Sequence, residues 1–264
     1  MRLSLVIPTK NRPDEILRAL ESVYEHSPQI EEVIVVDQSA QPYALPERPH
    51  LVHLYRPELS GLTAARNAGI DASHGEIVLF LDDDCLFVND VVAETLAVFD
   101  AHPGAVGVQS RLADRTYNPP PLSARIFEHG FFDVNSPGPD DDLRRTSGAG
   151  CAFRRTLFAH ERFDDVGLRG YCYGEDYDFS LRARKYGKLV FAANAVVEHR
   201  PSAANRFDRR GSFETRWNNL NYLYAKHHAR ATLADRMWHA WWRLGETLQW
   251  LRFGLGLPPR GLSG

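Results

Sequence analysis

Four short apolar runs, each closing on a polar turn and followed or preceded by a segment of helical spacing, constrain this chain more than any other feature. They are LSLVIP, EEVIVVDQS, HLVHLYR and EIVLFLDDD. The first, second and fourth are nearly continuous in apolar or β-branched residues, as expected of parallel strands covered on both faces. Between the first two, PDEILRALESVYEH repeats Ile16, Leu17, Leu20, Val23 and Tyr24 at helical spacing. GLTAARNAGIDAS, which Gly75 helps to stop, and NDVVAETLAVFDAHP, with Asn89 as expected N-cap, supply two more helices. This alternation predicts an α/β domain with a mostly parallel sheet flanked by helices.

Sheets of this kind bind ligands beyond the carboxyl ends of their strands. Pro8 and Thr9, Asp37, and Asp82 to Asp84 all fall at expected strand C-termini, so the fold gathers them on one edge. Three aspartates in a row repel one another, and beside a buried strand they cost free energy unless something positive compensates them. A bound cation is the evident candidate.

Composition narrows the function classes. A net charge of −3 gives no global pull toward nucleic acid. Cys85, Cys151 and Cys172 are odd in number and lack metal-site spacing, which argues against a disulfide framework and for a reducing compartment, the cytoplasm by default. The opening apolar run is too short for a signal-peptide core, and no run of 18 apolar residues marks a transmembrane helix. Residues 114 to 147 are rich in Pro, Gly and charge and read as a mobile or substrate-covering segment. GEDYDFSLRARKYG then suggests a helix starting near Glu175, and KLVFAANAVVEHR suggests strands. The division expected is a domain over residues 1–200 and a helical extension over 201–264. That extension holds ten basic against four acidic residues and all five tryptophans. It reads either as a helical pair packed on the main domain, its tryptophans in the core, or as an amphipathic surface for peripheral membrane association.

Taken in order, VIPTKNRP, VIVVDQS, GLTAARNAGI, FLDDDC, GAGCAFRR and GEDYDFSLRARKYG resemble the family 2 nucleotide-sugar glycosyltransferases of the GT-A fold, over roughly residues 3 to 200. The resemblance implies metal-dependent, inverting transfer of a sugar from a nucleoside-diphosphate donor to a hydroxyl. The aspartate triplet stands where such enzymes carry the DxD motif, which holds Mn²⁺ or Mg²⁺ against the donor diphosphate; hard cations take oxygen ligands and keep sites for phosphate. Asp84 is implied as direct ligand, with Asp82 and Asp83 on the ribose or the metal's waters. His199 is implied as a further ligand, imidazole suiting Mn²⁺ better than Mg²⁺.

By the same resemblance Pro8, Thr9 and Asp37 meet the nucleotide base, Arg66 reaches the base or the phosphates, and Gly148 and Gly150 let backbone approach the acceptor or donor sugar. A carboxylate at Asp37 can accept an imide hydrogen, favouring a UDP or dTDP donor. DQSA departs from the Asp-Asp-Gly-Ser of many relatives and leaves the base open. GEDYDF matches the family's ED motif, which implies Asp176 as the general base and Glu175 as a residue orienting the acceptor. The implied acceptor is a glycan or lipid-linked hydroxyl of polysaccharide, lipopolysaccharide or other cell-envelope synthesis, met in the cytoplasm or at the inner face of the membrane. Three other readings compete. A sugar-1-phosphate nucleotidyltransferase would carry a Gly-rich, lysine-containing N-terminal loop, and PTKNRP has no glycine. A haloacid-dehalogenase-type phosphatase would carry Thr or Val where Leu86 stands. A non-catalytic sugar or nucleotide binding module has no need of every acidic position.

Overall fold

The computed structural model describes residues 1–113, 143, 145–168, 173–201, 209–227 and 233–254. Cys172 and nearly all of the irregular segment expected to cover the substrate lie outside them. The described residues fall into two compact units, the first running to residue 201 and the second comprising residues 209–227 and 233–254.

In the first unit the apolar runs become β1 (Leu3–Thr9), β2 (Glu32–Asp37), β3 (Leu51–Tyr55) and β4 (Ile77–Phe80). The helical segments become α1 (Pro13–His26), α2 (Leu62–Ala72) and α3 (Val91–Ala101). Pro13 opens α1, where a missing N–H costs nothing. After β4 come β5 (Cys85–Phe87), β6 (Ala105–Leu112), β7 (Cys151–Arg154), α4 (Glu175–Ala183) and β8 (Lys188–His199). The sheet order is β3-β2-β1-β4-β7-β6-β8-β5. β1 to β4 are parallel, as the βαβ pattern requires, and β6 is parallel to β8. β7 runs antiparallel between β4 and β6, and β5 antiparallel on β8. The mostly parallel α/β sheet expected from the sequence is therefore present, with two strands reversed.

Three details differ from the sequence reading. Asp90, not Asn89, caps α3, its carboxylate accepting from the Ala93 N–H at 3.1 Å. Asn89 instead donates to the Asn194 carbonyl at 2.6 Å and accepts from the Val196 N–H at 2.9 Å, clipping the chain to β8. The three-residue β5 carries no periodicity of its own and forms because β8 offers an edge. Gly75 lies past the α2 end at Ser73, where a Cβ would come within 2.6 Å of the Ser4 backbone nitrogen.

Two apolar layers sandwich the sheet. Leu5, Ile7, Val33 and Val35 face Ile16, Leu20 and Val23 of α1, while Val6, Ile34, Val36 and Phe80 face α2 and a cluster of Phe153, Phe158, Phe163 and Phe179. The phenylalanine rings meet edge-on, tilted or stacked at 4.3 to 6.5 Å.

The second unit pairs α5 (Arg209–His227) with α6 (Leu233–Gly254). Phe213 stacks on Trp250 at 4.7 Å, Trp217 on Trp242 at 5.7 Å and Tyr224 on His239 at 3.8 Å, and Arg216 pairs with Glu246. Three of the tryptophans thus serve helix pairing. No helix among the described residues is long and apolar enough to cross a membrane.

Candidate functional site

The register of β1 against β2 sets Thr9 directly beside Asp37, and Pro8 beside Val36. β4 pairs with β1 up to Phe80, so the three aspartates emerge next to the same edge. From that common origin the carboxylates diverge. Asp82 keeps 31% of its side chain exposed, whereas Asp83 and Asp84 keep 6% each.

Asp83 is committed to the protein. Its carboxylate accepts from the Thr9 hydroxyl at 2.8 Å and from the Arg12 guanidinium at 2.8 Å. Burial pushes its pKa up to about 6, with Arg12 and Thr9 pulling it back. Arg12 also lies 3.7 Å from Asp84. Arg12 thus supplies part of the positive charge that three adjacent aspartates demand, a role the sequence reading missed. The signal was available: a cation between the end of β1 and the proline opening α1 belongs to the same sheet edge.

Asp84 faces the other way. Its carboxylate is 3.4 Å from His199 Nε2, because the β5–β8 ladder pairs Cys85 with His199. Asp84, Cys85 and His199 offer ligand atoms within 4.8 Å of one another. Burial and the three aspartates raise the Cys85 pKa well above its ordinary value. The Asp84 carboxylate and the His199 imidazole are a donor pair that suits Mn²⁺. Asp82 is not in this cluster. It is held 3.0 Å from Arg66.

Arg66 is the centre of the arrangement. It is fully buried, and its guanidinium pairs with Asp82 at 3.0 Å and Glu175 at 3.1 Å while donating to the Gly148 carbonyl at 3.0 Å. Its plane sits over Phe80 and Phe163 at 5.9 and 5.3 Å. Burial favours loss of its proton, but Asp82 and Glu175 outweigh it and the charge is retained. Arg66 thereby joins the two acidic motifs.

Glu175 opens α4 after Gly174, whose φ of +93° favours glycine. Burial first, and the charge of Asp176 second, push the Glu175 pKa up to about 7 against the pull of Arg66. Asp176 is partly exposed and accepts from the Tyr177 N–H at 2.7 Å. Gly148 has a packing reason: a Cβ there would stand 2.8 Å from Arg66 Nη2 and 3.2 Å from Glu175 Oε1. Gly150, at φ +68°, would press a Cβ to 3.1 Å from Ser110.

Asp37 is fully buried. One carboxylate oxygen accepts from the Ser39 N–H at 2.8 Å and the other lies 3.2 Å from His53 Nε2, with Tyr43 packed behind His53. Gln38 turns inward and donates to the Gly61 carbonyl at 3.1 Å. Asn11, at φ +54°, exchanges hydrogen bonds with Ser39 and Ala40 and ties the β1 and β2 loops together. These loop contacts were also unforeseen.

A family model described as "Glycosyl transferase family 2" matches residues 4–161. An uncharacterized glycosyltransferase of Haemophilus influenzae is 33% identical over 192 residues, 68% of this chain and 61% of the relative. The chain therefore spans about three-fifths of that relative's length. The amylovoran biosynthesis glycosyltransferase AmsB of Erwinia amylovora is 28% identical over 219 residues, 74% of this chain and 68% of the relative. Among solved structures, the mannosyltransferase PcManGT from Pyrobaculum calidifontis, in complex with GDP-Man and Mn²⁺, superposes with a TM-score of 0.61 at 19% identity. That superposition covers 93% of this chain and 70% of the mannosyltransferase, a likeness of fold.

Proposed function

Because the chain belongs to glycosyl transferase family 2, we propose that it transfers a hexosyl or deoxyhexosyl group, with inversion, from a nucleoside-diphosphate donor to a hydroxyl acceptor. The observation that carries this reading is the Arg66 guanidinium, which holds Asp82 and Glu175 on its two ends and so brings the acidic turn after β4 to the start of α4.

Residues of the chain take the following parts. Pro8, Thr9 and Asp37 line the base end of the donor site, which favours uridine or thymidine. Asp82, the most exposed of the triplet, faces the ribose or the waters of a divalent ion. Asp84 and His199 would hold Mn²⁺ or Mg²⁺, and that ion, when bound, would set positive charge against the departing diphosphate. Asp176 takes the acceptor proton, and its partial exposure suits a base that must meet an incoming alcohol. Glu175, locked to Arg66, orients that edge, and Gly148 and Gly150 let the chain approach the sugar.

The likeness to a glycosyltransferase of amylovoran biosynthesis supports an acceptor in polysaccharide, lipopolysaccharide or other cell-envelope glycan assembly. Residues 201–264, kept as a separate extension, would bring the enzyme peripherally to the inner face of a membrane.

Two variants test the division of labour. Asp84→Ala should lose Mn²⁺-dependent binding of nucleoside diphosphate by calorimetry. Asp176→Asn should retain that binding and lose transfer; ordinary turnover in Asp176→Asn would refute the base assignment.

A further inference from the structure

Helix α6 presents two apolar faces, and α5 covers one of them. His239, Trp242, Glu246 and Trp250 meet α5. On the other side Leu233, Met237, Trp241, Leu244, Leu248 and Leu251 stand 75, 65, 40, 49, 49 and 56% exposed. At roughly 100° per residue, Leu244 lies about 200° round the helix from Trp242, so the exposed row runs opposite the paired seam. A helix of this size with six large apolar side chains in one exposed stripe calls for a partner.

We propose that this stripe lies in the surface of an anionic lipid bilayer, with α6 parallel to the membrane plane. This rests on the reading of residues 201–264 as a membrane-associating extension and names the face and the lipid class. Charge selects the occupant. Of 31 basic and 34 acidic residues, residues 201–264 take ten and four, leaving 21 and 30 for residues 1–200. The chain is polarised, with its positive excess on the part that carries the stripe. Arg243 lies over the Trp217 ring of α5, whereas Arg236 is exposed beside the stripe. There a guanidinium can reach headgroup phosphate while its stem and the neighbouring leucines enter the acyl boundary.

A second copy of α6 is the competing occupant, since residues 237 to 251 step by four and three as in a coiled coil. Of the positions flanking such a seam, Trp238, Ala240, Gly245 and Thr247 are uncharged and only Arg252 carries a charge, so no complementary pair fixes a register. A flat, chemically unspecific surface fits better.

Sedimentation of the full chain with phosphatidylcholine vesicles, with and without phosphatidylglycerol, tests this. Binding should need phosphatidylglycerol and weaken with salt. The double variant Leu244→Gln, Leu248→Gln should lose about tenfold in partitioning, with helix content by circular dichroism unchanged. Arg236→Gln should lessen the phosphatidylglycerol preference. Binding of the parent that the glutamine pair leaves intact would overturn the assignment of the face while sparing the extension's membrane role. No vesicle binding by the parent overturns both. A parent that is dimeric without lipid, and monomeric with the glutamine pair, assigns the stripe to a second copy and overturns the proposal.

Discussion

Arg66 and Glu175, 109 residues apart in the chain, meet at 3.1 Å in a site closed to solvent. The same guanidinium holds Asp82. One cation thus compensates two carboxylates from separate elements, and each carboxylate that lost it would be left buried or half-buried without a counter-charge.

Arg66→Met should therefore destabilise the chain by about 3–5 kcal/mol, since removing one member of a buried pair strands the other. Urea unfolding measures it. Arg66→Lys should recover only part of the loss, because an ammonium cannot present a planar fork to Asp82, Glu175 and the Gly148 carbonyl together.

Gly148→Ala places a methyl 2.8 Å from Arg66 Nη2. Transfer should fall more than stability does, as the guanidinium shifts off its two carboxylates. Gly104→Ala is the control, with nothing within 4 Å of the added methyl, and should stay within about 0.5 kcal/mol of the parent.

Glu175 titrates near 7 in the folded chain against an ordinary value of 4.5. The folded form then holds a proton that the unfolded form releases, so between these two values stability falls as pH rises. Glu175→Gln should flatten that slope in denaturant titrations taken across the window. A slope that the glutamine leaves unchanged would assign the titration elsewhere.

Arg12 and Asp83 should show coupling. In a double-mutant cycle of Arg12→Ala and Asp83→Asn, the interaction energy should be about 0.5–3 kcal/mol, because the 2.8 Å contact is almost wholly buried. Additive losses would mean the pair contributes nothing beyond its separate contacts.

Metal affinity separates the three groups clustered at β5. His199→Ala should weaken Mn²⁺ binding by calorimetry, whereas Cys85→Ser should leave it unchanged, because Mn²⁺ prefers oxygen donors to soft thiolate. Equal loss in both would make Cys85 a ligand.

Much of this was legible in one dimension. Apolar runs of strand length alternating with helical periodicity establish a parallel α/β unit, because each helix must cover the face its neighbouring strands expose. The polar residues closing those runs, Thr9, Asp37 and Asp82 to Asp84, necessarily share a sheet edge. What each then touches depends on parts of the chain that return from far away. Asp83 turned to Arg12 and Asp84 to His199 because β5 pairs with β8. The destination of Arg66 needed β7 to enter antiparallel beside β4 and α4 to begin where Glu175 could face it. Local patterning records which residues are apolar and where strands end, since those are short-range properties. Charge pairing across about 70 to 115 residues is decided only when the sheet order closes, because Coulomb energy and desolvation depend on distance in space and carry no period along the chain.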